Sequence, residues 1–141
     1  MNEIETLINA ARAARENAYA PYSGFRVGAA VQARDGQVFG GCNVENASYG
    51  LCNCAERTAL FTAIAAGYKA GDFTRLAIIA DTQEPCAPCG ACRQVMIELG
   101  GRDLIVIQAN LQGNIAQATA SDLLPGAFGP DLLAATETLV R

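Results

Sequence analysis

Arg75-Leu-Ala-Ile-Ile-Ala80 and Leu104-Ile-Val-Ile-Gln-Ala109 are two nearly continuous apolar runs. Short runs of this kind suit strands covered on both faces rather than strands with one face in water. Residues 90–99 between them read as a helix, so the pair belongs to a strand–helix–strand unit. Working back toward the N-terminus, residues 54–66 are rich in Ala and Leu and predict a helix, with Gly67 as its C-terminal cap. Residues 26–33 and 37–41 read as a hairpin, because Asp35-Gly36 is a strong signal for a two-residue turn. Residues 3–17 predict an amphipathic helix in which Ile4, Leu7, Ile8 and Ala11 recur at helical spacing; Pro21 and Gly24 lie beyond its end. Toward the C-terminus, residues 114–119 predict a last strand. Its link from the preceding run is only Asn110-Leu-Gln-Gly113, and a parallel crossover needs about a dozen residues or more, so this strand is expected to run antiparallel. The tail, 121–141, reads as short helical turns broken by Pro125, Gly126, Gly129 and Pro130. The expectation is an α/β fold: a sheet with helices packed on it.

The chain has 141 residues, without an internal repeat or linker, which suits a single domain spanning 1–141. Hydrophobic residues make up 51% of it, which excludes intrinsic disorder. Ten Lys and Arg face fourteen Asp and Glu, for a net charge of −4, and no basic run exists. A partner that is DNA or RNA calls for a basic face, so nucleic acid is set aside and a neutral small molecule fits better. No stretch reaches the roughly 18 apolar residues of a membrane helix, and the N-terminus lacks a charged-then-apolar leader. The expectation is a cytoplasmic protein with no membrane partner.

Six cysteines in such a chain point to metal or redox chemistry before disulfides, and there is no histidine. Cys89-Gly-Ala-Cys92 has the spacing of a metal knuckle at the start of a helix, where residues three apart share a face and thiolate is favoured over thiol. Cys54 opens another helix and can supply a third sulfur. Three protein ligands plus water is the catalytic pattern for zinc, and four is the structural one. Cys86-Ala-Pro-Cys89 and Cys52-Asn-Cys54 offer further sulfurs, so spacing alone leaves both patterns open. For Cys42, Cys52 and Cys86 the preferred reading is a buried unpaired thiol. Glu56, taken alone, is an ordinary first-turn glutamate favoured by the helix dipole. Arg57 shares a helix face with Cys54, where a guanidinium would offset the negative excess of three thiolates on Zn²⁺; a solvated surface arginine is the other reading.

Cys54-Ala-Glu-Arg57 followed by Pro88-Cys-Gly-Ala-Cys-Arg-Gln94 resembles the zinc deaminase signature. Gly41-Cys-Asn-Val-Glu-Asn-Ala-Ser-Tyr-Gly-Leu51 resembles the ribose-binding segment of the small cytidine deaminases. Phe25-Arg-Val-Gly-Ala-Ala30 resembles their first strand, and Leu123-Leu-Pro-Gly-Ala-Phe-Gly-Pro130 their C-terminal segment. The likeness covers nearly the whole chain. It implies a three-layer α-β-α fold around a five-stranded mixed sheet whose last strand is antiparallel. It also implies zinc-dependent hydrolysis of the 4-amino group of cytidine and deoxycytidine.

Carried over by position, the resemblance makes Cys54, Cys89 and Cys92 the zinc ligands and Glu56 the proton shuttle. Asn43 and Glu45 hold the ribose 3′-hydroxyl, Phe25 packs on the pyrimidine, and Ala55 contacts the substrate. Ala47 and Tyr49 reach the 5′-hydroxyl side of a neighbouring subunit's site in a homotetramer, and Phe128 lies near a subunit contact. Arg57 and Arg93 compensate the thiolate charge. Cys52, Asn53, Cys86 and Ala87 depart from the family's more familiar residues, and Cys86 and Ala87 border the path of the leaving amine. Three other readings stand beside this one: a deaminase of nucleic acid or nucleotides, a zinc-stabilised binding module without catalysis, and the same chemistry on a 4-N-substituted or otherwise modified cytidine.

Overall fold

The computed structural model describes residues 2–133; residues 134–141 of the expected helical tail lie outside the described residues. Helix α1 spans Glu3–Arg15, strand β1 Val27–Ala33 and strand β2 Val38–Cys42. A 3-10 turn at Tyr49–Leu51 precedes helix α2, Ala55–Ala65. Strand β3 (Phe73–Ala80), helix α3 (Gly90–Val95), strands β4 (Ile105–Asn110) and β5 (Ile115–Thr119) and helix α4 (Ala120–Leu123) follow in that order.

The sheet order is β2-β1-β3-β4-β5. Only β3 and β4 run parallel, with Ala80 opposite Asn110; the other neighbours are antiparallel, including β5 on β4. The short link before β5 permits nothing else. On one face α1 buries Leu7, Ile8 and Ala11 against Ala30, Ala77, Ile79, Ile107 and Ala109. On the other, Ala55, Ala59, Leu60, Cys92 and Met96 cover Val31, Leu76, Ile78 and Val106. Alternation along β3 sends Leu76, Ile78 and Ala80 to one face and Ala77 and Ile79 to the other, so the strand is dry on both sides and the architecture has three layers.

Two glycines set the layer spacing. A Cβ on Gly28 collides with the carbonyl of Ala11 on α1, and a Cβ on Gly41 collides with the backbone of Ala55 and Ala59 on α2. Small residues there let each helix lie directly on its face of the sheet.

The hairpin differs from the two-residue turn expected of Asp35-Gly36. Ala33 N donates to Gln37 O at 2.8 Å and Gly36 N to Ala33 O at 3.0 Å, so the loop is Arg34–Gly36. Gly36 sits at φ 94°, the left-handed position that closes a three-residue loop. The helix expected over 90–99 is also modified. After Val95 it widens into a π-turn, Met96–Gly100, in which Gly101 N donates to Met96 O.

Candidate active site

The carboxyl ends of the parallel pair β3 and β4 face the start of β1 and the end of β2, since Val27 pairs with Ala80 and Gly28 with Cys42. Four segments therefore meet at one edge: the entry to β1, the loop after β2, the N-terminus of α2 and the loop 81–89 after β3. The carboxyl edge of parallel strands is where open α/β sheets place ligands. A cavity of about 170 Å³ lies here, lined among others by Phe25, Asn43, Ala55, Glu56, Cys86 and Ala87.

Cys54 and Cys89 are the N-cap residues of α2 and α3, both in extended conformation, and Cys92 lies in the first turn of α3. The three Sγ atoms all lie within 4.8 Å of one another, with Cys54 and Cys89 3.7 Å apart. Sulfurs sharing one tetrahedral zinc at about 2.3 Å each sit about 3.8 Å apart, so the cluster fits that ion. No fourth cysteine or carboxylate joins it among the described residues, which separates the two patterns that spacing left open. Cys86 lines the cavity and Cys52 accepts from Asn46 N at 3.3 Å. Three thiolates and one open position is the catalytic arrangement for zinc.

The N-cap placement of Cys54 also explains how residues 54 and 56 line one cavity. On an ideal helix they face apart, but Cys54 is outside the helical turn and Glu56 is within it. Glu56 is 4% exposed. Burial pushes its carboxyl above the usual range, and negative charge on Cys54 pushes the same way. Metal-free, Cys54 is held down to about 5 by the hydrogen bond from the Cys92 thiol, with Arg57 and Cys89 adding to it. That same bond raises Cys92, which keeps the proton Cys54 has lost.

Arg57 donates from Nη2 to Cys54 Sγ at 3.2 Å. Its Nε is buried without a hydrogen-bond partner among the described residues, a cost tolerated where the guanidinium's charge lies against sulfur. Arg93 is placed differently. Its Nε and Nη1 donate to the carbonyls of Pro88 and Leu123 at 2.8 and 2.9 Å, which ties the knuckle loop to α4.

Asn43 accepts from Val27 N at 2.9 Å and donates to Phe25 O at 2.7 Å, which fixes its amide at the cavity wall with one proton and one lone pair unspent. Glu45 accepts from Tyr22 N, Ser23 N and the Ser23 hydroxyl; that hydroxyl holds its carboxyl below the usual range. Ala47 is exposed, as are Tyr49 (74%) and Phe128 (55%). None of the three lines the cavity. Tyr49 makes an edge contact with Tyr22 at 6.0 Å, and the Phe128 carbonyl accepts from Gln94 at 2.8 Å. Val27 lines the cavity too, and sequence reading missed it because a strand valine looks like any core residue. Ser23 was missed as well; a hydroxyl in a turn carries no signal of the carboxylate it will hold.

A sequence model of the family described as the cytidine and deoxycytidylate deaminase zinc-binding region matches residues 1–108. The cytidine deaminase of Halalkalibacterium halodurans is 57% identical over 124 residues, covering 88% of this chain and 92% of that protein. The cytidine deaminase of Mycobacterium tuberculosis is 43% identical over 123 residues, covering 87% and 86%. Among solved structures, the cytidine deaminase of Burkholderia pseudomallei superposes with a TM-score of 0.88 at 63% identity, over 91% of this chain and 100% of that one. That of Mycobacterium tuberculosis does so at 0.78 and 39%, over 92% and 99%. With a family signature across most of its length, relatives well above 30% identity and a cysteine triad beside a buried glutamate, the chain belongs to the cytidine and deoxycytidylate deaminase zinc-binding family.

Proposed function

We propose that this protein is a zinc-dependent cytidine deaminase, converting cytidine and deoxycytidine with water to uridine and deoxyuridine and releasing ammonia. The observation that carries the reading is the pairing of a three-sulfur cluster, open at its fourth position, with a buried carboxyl in the same cavity. When bound by Cys54, Cys89 and Cys92, zinc supplies a strong nucleophile by lowering the pKa of water to near 7.

The chain's own groups do the rest. Glu56 takes a proton from the attacking water and delivers it to N3 of the pyrimidine as the C4–O bond forms. It then passes the second proton to the 4-amino group, the C4–N bond breaks and ammonia leaves. Burial pushes this carboxyl above the usual range and so eases its protonation, and one residue serves as base and acid without a histidine. Arg57 offsets the surplus negative charge of three thiolates.

Phe25 packs on the pyrimidine, Ala55 contributes cavity wall, and Asn43 and Glu45 receive the ribose 3′-hydroxyl with the bonding capacity that the β1 entry leaves them. The cavity of about 170 Å³ is smaller than the roughly 300 Å³ at the low end of small-molecule sites, which supports completion by a second copy. Exposed Ala47, Tyr49 and Phe128 suit that role, and the full assembly is read as a cytoplasmic homotetramer of single-domain chains acting in pyrimidine salvage. Among the described residues no helix is long and apolar enough to cross a membrane.

The test compares turnover of cytidine, deoxycytidine, free cytosine and cytidine 5′-phosphate. The two nucleosides are expected to react at similar rates. Cytosine is expected to be poor because the polar groups for the sugar go unmatched, and the phosphate because no basic cluster receives it. Equal rates on base and nucleoside overturn the assignment of Asn43 and Glu45. Light scattering checks the tetramer, and a monomer active at assay concentration removes the shared-site reading.

A further inference from the structure

Asn110 closes β4 and is 1% exposed. Its Oδ1 accepts from Gln112 N at 3.1 Å and Asn114 N at 2.9 Å, which shapes the β4–β5 turn. A turn of this kind needs nothing more from an asparagine. Here the Nδ2 also reaches out of the hairpin and donates to Gln83 O at 3.0 Å. One residue earlier, Ala109 O accepts from Cys86 N at 3.0 Å. Loop 81–89 has no regular structure, contains Pro85 and Pro88, and carries Cys86, Ala87 and Cys89 to the site. Its hydrogen bonds to the sheet come from the last two residues of β4, with Gln112 Nε2 on Asp81 at 3.3 Å at its start, and Arg93 Nε on the Pro88 carbonyl at its far end.

We infer that Asn110 is a positioning residue for the active site, its buried amide holding loop 81–89 so that Cys89 meets the other two sulfurs and Cys86 and Ala87 form the cavity wall. The amide spends three of its four hydrogen bonds, and only one of the three bridges to the functional loop. Groups hydrogen-bonded directly to metal ligands typically change metal affinity or activity by about 10- to 100-fold when lost, and the Asn110 contact, made at Gln83 rather than at a ligand, is set at the lower end of that range. The activity arm of this inference rests on the deaminase reading; the zinc arm rests only on the sulfur cluster.

The test uses the full-length, zinc-loaded protein. Asn110→Asp keeps both acceptors for the turn but replaces the donor to Gln83 with an acceptor. Gly113→Ala is the control: Gly113 sits at φ 94°, so alanine strains the same turn without touching the bond to Gln83. Zinc transfer to a chromogenic chelator, melting temperature, and kcat and KM on cytidine are read for each. Asn110→Asp is expected to release zinc about tenfold faster and to lose about tenfold in kcat, with KM moving less. Gly113→Ala is expected to lower the melting temperature while zinc release and kcat stay within about twofold of the parent protein. Zinc release that tracks melting temperature equally in both variants overturns the inference, as does an Asn110→Asp protein that behaves like the parent. Should Asn110→Asp fail to fold, Asn110→Ser, too short to reach Gln83, is read the same way. An inactive parent protein removes the deaminase reading, while the zinc comparison still decides this one.

Discussion

On one face of the sheet α1 lays Leu7, Ile8 and Ala11 on Ala30, Ala77, Ile79, Ile107 and Ala109; on the other, α2 and α3 bury a comparable apolar set and bring Cys54, Glu56 and Cys92 with it. Both faces are dry, so burial does not explain why only one carries chemistry. Helix direction does. Near the active edge α1 presents its C-terminal turn, where Arg15 donates to Arg26 O. Helices α2 and α3 begin at that edge, with Cys54 and Cys89 as their N-caps. A helix N-terminus favours thiolate and a C-terminus opposes it. The α1 face is thus a support, and the α2 face is a support that also sets sulfur at two helix N-termini.

The comparison is broken most sharply at Glu56. Glu56→Gln is expected to retain zinc and lose at least about a thousandfold in kcat on cytidine. Its effect on stability has the opposite sign. Burial raises the folded-state pKa of Glu56, so the glutamate contributes stability only below the ordinary carboxylate pKa and loses it as pH rises through the raised value. Above that range the metal-free Gln variant is expected to melt at higher temperature than the parent, as differential scanning calorimetry over a rising pH series can show. A lower melting temperature contradicts the assigned burial cost.

At Arg57 the expected effect is smaller. Arg57→Gln should lower kcat/KM by about 10- to 100-fold and move the pH–rate profile to higher pH, because the thiolate charge is no longer offset. In the metal-free protein the Cys54 thiol, held to about 5 in the parent, loses one of its donors, so alkylation of Cys54 should begin at higher pH in the variant. An unchanged alkylation profile contradicts the electrostatic role.

Least is expected on catalysis from the opposite face. Leu7→Ala, at a position 1% exposed, should cost about 2–5 kcal/mol in stability by urea unfolding, with kcat/KM per folded molecule within about twofold of the parent. A large loss of kcat/KM in the folded variant means that the α1 face also shapes the site.

The two faces also differ in how far they could be read beforehand. Helix α1 is legible from Ile4, Leu7, Ile8 and Ala11, because one of its sides meets water. Helix α2 also buries one face, through Ala55, Glu56, Ala59, Leu60 and Ala63, but its exposed side carries Phe61 and Ala65, so polarity does not mark that face, and its ends came from Cys54 and Gly67 instead. The antiparallel last strand followed from four linking residues. The extra residue in the Arg34–Gly36 loop did not, because Asp-Gly suits both two- and three-residue hairpins. Residues within a contiguous motif, such as Cys89 and Cys92, were readable as a pair. What brings Cys54 to them, parts Cys86 from them and turns Arg93 to the carbonyls of Pro88 and Leu123 is the packing of distant segments at one edge, and local sequence carries little of that information.

The most direct test of the account is conversion of cytidine to uridine by purified protein holding one zinc per chain, followed by ultraviolet absorbance, with the sulfur neighbours of the metal counted by X-ray absorption on the same sample. The account predicts rapid turnover and three sulfurs. A fully loaded protein with four sulfurs on the metal and no turnover contradicts it and makes the cluster a structural zinc site.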